Sequence, residues 1–184
     1  MSRYFHTLRH LKPIQIRYQL WYRIRSKIGF LSVLPKADNK DVNGKLLNFS
    51  EWIDKPISFS NRQFTFLNLS QQFSEEIIDW NFNGKGKLWC YNLNYMDYLL
   101  QVDMSKEKGI ELIELFIIHL TDKSTGNEPY PISLRGINWI KFLSIHKIQN
   151  QEIDKSLYIQ YQILFNTIEY HLLGNHLLEN GFSL

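Results

Sequence analysis

Cys90 is the only cysteine in 184 residues, so no intrachain disulfide can form and the fold rests on burial and hydrogen bonding. No apolar run reaches about 18 residues, and the best stretch, Leu112–Leu120, contains Glu114 and His119, so no transmembrane helix is expected. Arg3, Arg9 and Lys12 interrupt any signal-peptide core at the N-terminus. There is no phosphate-binding glycine loop and no G-x-S-x-G elbow. His6 and His10 have no cysteine or carboxylate nearby in sequence, and His171 and His176 are spaced for different helix faces, so no metal and no cofactor is expected. Internal repeats and low-complexity segments are also lacking.

Acidic residues are missing from one region. Met1–Lys27 holds Arg3, Arg9, Lys12, Arg17, Arg23, Arg25 and Lys27 without a single Asp or Glu. The rest of the chain keeps 14 of the 21 basic side chains against all 18 acidic ones, a net of −4. Such asymmetry fits a membrane-surface or nucleic-acid arm, a solvated helix face, or a surface that meets a polyanion.

What is abundant is apolar and aromatic. The chain is 44% hydrophobic and carries five Trp, ten Tyr and twelve Phe, enough for one domain with a real core. Rings on this scale suit core packing and also sugar stacking. Trp89 and Trp139 read as core rather than sugar platforms.

Periodicity predicts a mainly α protein. Pro13–Lys27 reads as an amphipathic basic helix ending at Gly29, with enough apolar residues to dock on its own domain. Leu31–Ser60 reads as an irregular connector. Gln63–Leu69 alternates like a short strand, and Asn81–Gly86 reads as a turn. Helices are expected from Leu88, over Gly109–Leu120, over Pro131–His146 and over Glu152–Asn180, the last capped by Asn150 and ended by Gly181. Lys123–Pro131 reads as a loop. Helices with short connections pack antiparallel.

Polar groups gather at helix ends in three segments: Leu88–Tyr98 (LWCYNLNYMDY), Asn127–Phe142 (NEPYPISLRGINWIKF) and Tyr170–Gly181 (YHLLGNHLLENG). In the third, Asn175 and His176 lie four and three residues before Glu179, so one helix brings the carboxylate beside both. Gly174 inside a helix costs about 1 kcal/mol relative to Ala, which points to close packing or substrate approach there. Arg135 enters an otherwise apolar helix, with Glu128 and Asp97 as candidate ion-pair partners.

LWCYNLNYMDYL, EPYPISLRGINWIKFL and EYHLLGNHLLENG, in that order, resemble the N-terminal helical domain of heparinase II/III-type polysaccharide lyases, and HTLRHLKPIQIRYQLWYR resembles the start of members tied to bacterial exopolysaccharide handling. The resemblance spans nearly the whole chain. It implies a partial (α/α) toroid of antiparallel helices, preceded by a small irregular, β-containing N-terminal region. Residues 1–184 would form one N-terminal domain, with 1–86 as basic helix, connector and strand and 87–184 as toroid segment. A C-terminal β-sandwich would be absent from this truncated member.

The implied reaction is β-elimination on a uronic-acid polysaccharide. A base takes the C5 proton, an acid protonates the leaving oxygen, and placed donors absorb charge on the neighbouring carboxylate. The resemblance assigns Asn175 as the neutralising amide and His176 as the histidine beside it. Glu179 matches an acidic position that assists in some relatives. Arg135 and Tyr130, with Asn94 in the first segment, are the candidate contacts to the anionic sugar chain. The family's acid tyrosine and a further histidine lie downstream of this region, so the isolated chain is expected to have negligible lyase activity. The implied partners are an acidic polysaccharide and the missing C-terminal domain, with no nucleic acid. Family members often work in the periplasm; with no signal peptide visible, a cytoplasmic site stays open. The rival reading is a non-catalytic helical module that binds an anionic glycan or a protein.

Overall fold

The computed structural model describes residues 10–27, 44–74, 77–119 and 125–184. Among them the chain is mainly helical, with six α-helices and one small antiparallel sheet. The elements run α1 (Pro13–Lys27), β1 (Phe59–Ser60), β2 (Gln63–Phe66), β3 (Leu69–Gln72), α2 (Lys87–Tyr95), α3 (Lys106–His119), α4 (Pro129–Ile145), α5 (Gln151–Thr167) and α6 (Gly174–Ser183). Short 3-10 turns at Asp97–Leu100 and Thr125–Asn127 join the middle helices. No helix among the described residues is long and apolar enough to cross a membrane. His6, the expected helix stop at Gly29, the start of the 31–60 connector and the start of the 123–131 loop lie outside the described residues.

The sheet has three strands where the sequence suggests one, and the expected Gln63–Leu69 strand is broken by the Leu67-Asn68 turn between β2 and β3. β2 pairs with β1 and β3 in the order β1-β2-β3, with Phe59 opposite Phe64 and Phe66 opposite Leu69. Its alternation is that of a half-buried strand: Phe64 and Phe66 face inward, Gln63 and Thr65 face solvent. Both hairpin links place two consecutive residues at positive φ, Asn61-Arg62 at 48° and 64°, Leu67-Asn68 at 54° and 60°. That backbone matches the strands' twist, and it is built here without glycine.

α4 is the hub. Pro129 opens it, where a missing N–H costs nothing, and α2, α5, α6 and both 3-10 turns pack on it. Its inward stripe includes Ile132, Arg135, Trp139 and Phe142, all fully buried. Trp139 meets Phe116 edge-on at 5.7 Å, Phe116 meets Trp80 at 5.1 Å, and Trp89 meets Phe66 at 5.2 Å. Trp139 Nε1 donates to Met96 Sδ at 3.1 Å and Trp89 Nε1 to the Leu69 carbonyl at 2.9 Å, so both indoles are core groups with their N–H satisfied.

The expected long helix over Glu152–Asn180 is two helices. α5 starts as expected, with Asn150 Oδ1 accepting from the Glu152 and Ile153 amides, but it ends at Thr167. A turn over residues 168–173 then leads into α6. Gly181 lies inside α6 and does not end it.

Candidate functional site

The 168–173 turn and α6 bring the terminal polar residues together. Asn180, fully buried, pins α6 from beneath. Its Oδ1 accepts the Glu169 amide at 2.9 Å, and its Nδ2 donates to Ser133 Oγ on α4 at 3.0 Å. Ser183 Oγ adds bonds to the Ser133 carbonyl at 3.0 Å and to the Tyr161 hydroxyl of α5 at 3.1 Å. Asn180 therefore fixes both the helix and the backbone of the turn that carries Glu169.

Glu169, 7% exposed, holds His176 through Oε2 to Nδ1 at 3.0 Å. With Nδ1 turned to this carboxylate, which favours the tautomer that donates from Nδ1, Nε2 is the ring nitrogen left for an incoming group. The Tyr130 ring lies against the imidazole at 4.5 Å between centroids, and Tyr95 lies edge-on to Tyr130 at 5.8 Å. Desolvation, then the charges of Glu179 and Glu169, pushes the Tyr130 hydroxyl above its ordinary pKa.

Asn175 is solvent-exposed in the first turn of α6. No side chain caps this helix start and no acidic residue lies in its first turn. Its outward amides and the positive end of its dipole therefore favour an anion. The backbone reaches this point through Leu173 at φ 59°, ψ −161° and Gly174 at φ 58°. The first is a conformation that glycine adopts and leucine rarely does. Gly174 thus serves conformation: a Cβ there would meet nothing within 4 Å, so neither close packing nor a mid-helix position accounts for it.

Arg135 and Asn94 do not reach this rim. Both are fully buried, at odds with the expected contact to a sugar chain. Arg135 belongs to the inward stripe of α4. Its Nε donates to Gln160 Oε1 at 2.7 Å, its Nη1 to the Asn94 carbonyl at 3.1 Å, and its guanidinium lies 4.3 Å from the Phe116 ring centroid. Burial pulls its pKa down to about 9. The ion pair expected with Glu128 or Asp97 does not form: Glu128 is held by Lys87 and the Tyr91 hydroxyl. Asn94 Nδ2 donates to the Trp80 and Cys90 carbonyls, both at 2.8 Å, and ties α2 to the chain before it.

Of the six residues singled out by sequence, Tyr130 and His176 come together, with Asn175 and Glu179 on the same helix as His176. Glu169 and Asn180 were not singled out. Glu169 needs the 168–173 turn to face His176, which no helical spacing shows. Asn180 had a signal: an amide among apolar residues of a helix, where it is disfavoured unless bonded. Among the described residues no group of three or more His, Cys, Asp or Glu could hold a metal ion. No protein-family model, no curated protein and no solved structure matches the chain.

Proposed function

We propose that the chain is the N-terminal helical part of a polysaccharide lyase of the heparinase II/III type, its helices part of an (α/α) toroid, acting on a uronate-containing polymer by β-elimination. The supporting observation is the imidazole of His176, oriented by buried Glu169 and packed on Tyr130, beside an uncapped helix start that carries exposed Asn175. In this reading the Asn175 amide and the first-turn N–H groups of α6 take the uronate carboxylate. Charge that builds there as C5 loses its proton is stabilised by donors already in place. His176 Nε2 faces the sugar, Glu169 fixing its tautomer and compensating positive charge on the ring. The Tyr130 ring offers a sugar face. Arg135 and Asn94 support the rim from within.

No group in this arrangement is assigned as the acid for the leaving oxygen, so binding without turnover is the expected behaviour of the 184-residue chain. Titration calorimetry with alginate or heparan sulfate oligosaccharides tests it. Saturable binding is expected, weakened about tenfold by Asn175→Ala through loss of a charge-assisted hydrogen bond, with negligible ultraviolet absorbance from unsaturated uronate. Absence of binding, or binding indifferent to both Asn175→Ala and His176→Ala, contradicts the reading. Appearance of the unsaturated product contradicts the expected inactivity and calls for an acid within this chain.

A further inference from the structure

α1 docks on the domain with its polar side. Gln15 Nε2 donates to the carbonyls of His171 at 3.3 Å and Leu172 at 3.4 Å. The Tyr22 hydroxyl donates to the Ile168 carbonyl and Arg25 Nη1 to the Asn166 carbonyl. Tyr18 stacks on Tyr170 at 4.7 Å, and Tyr22 meets the His171 ring edge-on at 5.0 Å. The apolar side therefore points away from the domain. Ile14, Leu20, Trp21 and Ile24 are 44%, 55%, 53% and 51% exposed, and their spacing puts them on one stripe. Leu20, Trp21 and Ile24, with Pro13 and Ile16, line a groove of about 780 Å³.

Charge separates the candidate occupants. Arg17 lies within the stripe and Lys27 beside it, and residues 10–27 contain no acidic side chain. A second copy packed by two-fold symmetry would set these cations against their own images with no acid on the helix to offset them. A nucleic-acid backbone has no use for four exposed apolar side chains. A helix with Leu, Ile and Trp on one face and cations in and beside it matches an anionic lipid interface, where apolar groups enter the acyl boundary and basic stems extend to the phosphates.

We propose that the outward stripe of α1 binds an anionic membrane surface, with Leu20, Trp21 and Ile24 inserted and Arg17 and Lys27 at the lipid phosphates. The site is separate from the α6 rim and does not rest on the glycan reading. Co-sedimentation of the 184-residue chain with vesicles tests it. Vesicles containing phosphatidylglycerol should bind the chain, phosphatidylcholine alone should not, and binding should fall as salt rises. Trp21→Glu and Arg17→Glu, both at exposed positions, should each cut binding about tenfold or more. Both variants should keep the parent's circular-dichroism melt and its oligosaccharide binding. The proposal is overturned by absent vesicle binding, by equal binding to neutral vesicles without salt dependence, or by binding unchanged in both variants. It is also overturned if Trp21→Glu abolishes a concentration-dependent dimer while vesicles never bind, which would make the occupant a second copy.

Discussion

Around the sheet, Phe64, Trp89 and Trp139 lose all their exposed surface and every ring has another ring at its edge. Where α1 meets the 166–172 segment, docking is carried by side-chain donors on backbone carbonyls while large apolar groups stay in solvent. The first region is held by removal of apolar area from water, at roughly 25 cal/mol per Å². The second is held by hydrogen bonds whose net worth is about 1 kcal/mol each, because water offers the same partners when the helix lifts away. The difference teaches that amphipathicity alone does not say which face a helix docks. Here the residues that looked like a docking face are left for another partner, and the carbonyls freed by the turn before α6 recruit the polar face.

Substitutions can break this comparison. Trp139→Ala should cost about 3–5 kcal/mol, as large aromatic truncations in tight cores do, whereas Trp21→Ala should stay within about 0.5 kcal/mol; chemical denaturation of the two variants measures the contrast. Comparable losses would mean that the α1 stripe is buried after all. Asn180→Ala should cost about 1–3 kcal/mol, because it leaves the Glu169 amide and Ser133 hydroxyl without their partner. Its effect should spread to the site, with amide exchange in α6 accelerating and oligosaccharide binding falling together.

Smaller effects sharpen the picture at helix starts. Asn150→Ala removes the cap of α5 and should cost about 1 kcal/mol. Leu173→Gly, before the uncapped start of α6, should raise stability by about 1 kcal/mol by relieving a conformation that only glycine adopts freely. A loss on Leu173→Gly would show that the leucine side chain contributes more than its backbone costs.

The last effect concerns pH. Burial pushes the Tyr22 hydroxyl up to about 12 from an ordinary value of 10.0. The folded state thus keeps a proton that the unfolded chain gives up. The stabilisation is fully present below pH 10 and is lost as pH rises through about 12. Exchange of the α1 amides should therefore accelerate over that window, and Tyr22→Phe should reduce the α1 part of the dependence; burial also holds the Tyr98 hydroxyl of the core well above its ordinary value, so global unfolding carries a dependence of the same sign that Tyr22→Phe leaves in place.

Much of this was legible in the chain itself. α1 runs over the residues that Pro13 and the apolar spacing indicate, and Asn150 caps α5 as its position before Glu152 suggests. β3 was not legible, because its turn is Leu67-Asn68 rather than a glycine pair, so the usual hairpin signal is missing. The break between α5 and α6 was hidden because Ile168 and Leu172 continue the period of Leu164, and only the backbone at Leu173 and Gly174 interrupts it. At the site, the spacing of Asn175, His176 and Glu179 within one helix could be read directly, while Glu169 could not. Arg135 was assigned to the sugar chain because its planar fork suits an anion. Its spacing from Ile132, Trp139 and Phe142 already put it on the buried stripe, and there Gln160 and the Asn94 carbonyl accept from its Nε and Nη1, while its Nη2 has no hydrogen-bond partner.

The most direct measurement is a titration of the isotope-labelled chain with uronate oligosaccharides, followed by nuclear magnetic resonance at the side chains. The Asn175 amide, the His176 ring and the Tyr130 ring should shift together along one saturation curve, with Glu169→Gln weakening the response. Shifts confined to other surfaces, or no shift at these three residues at saturating oligosaccharide, would contradict the placement of an acidic sugar at the start of α6.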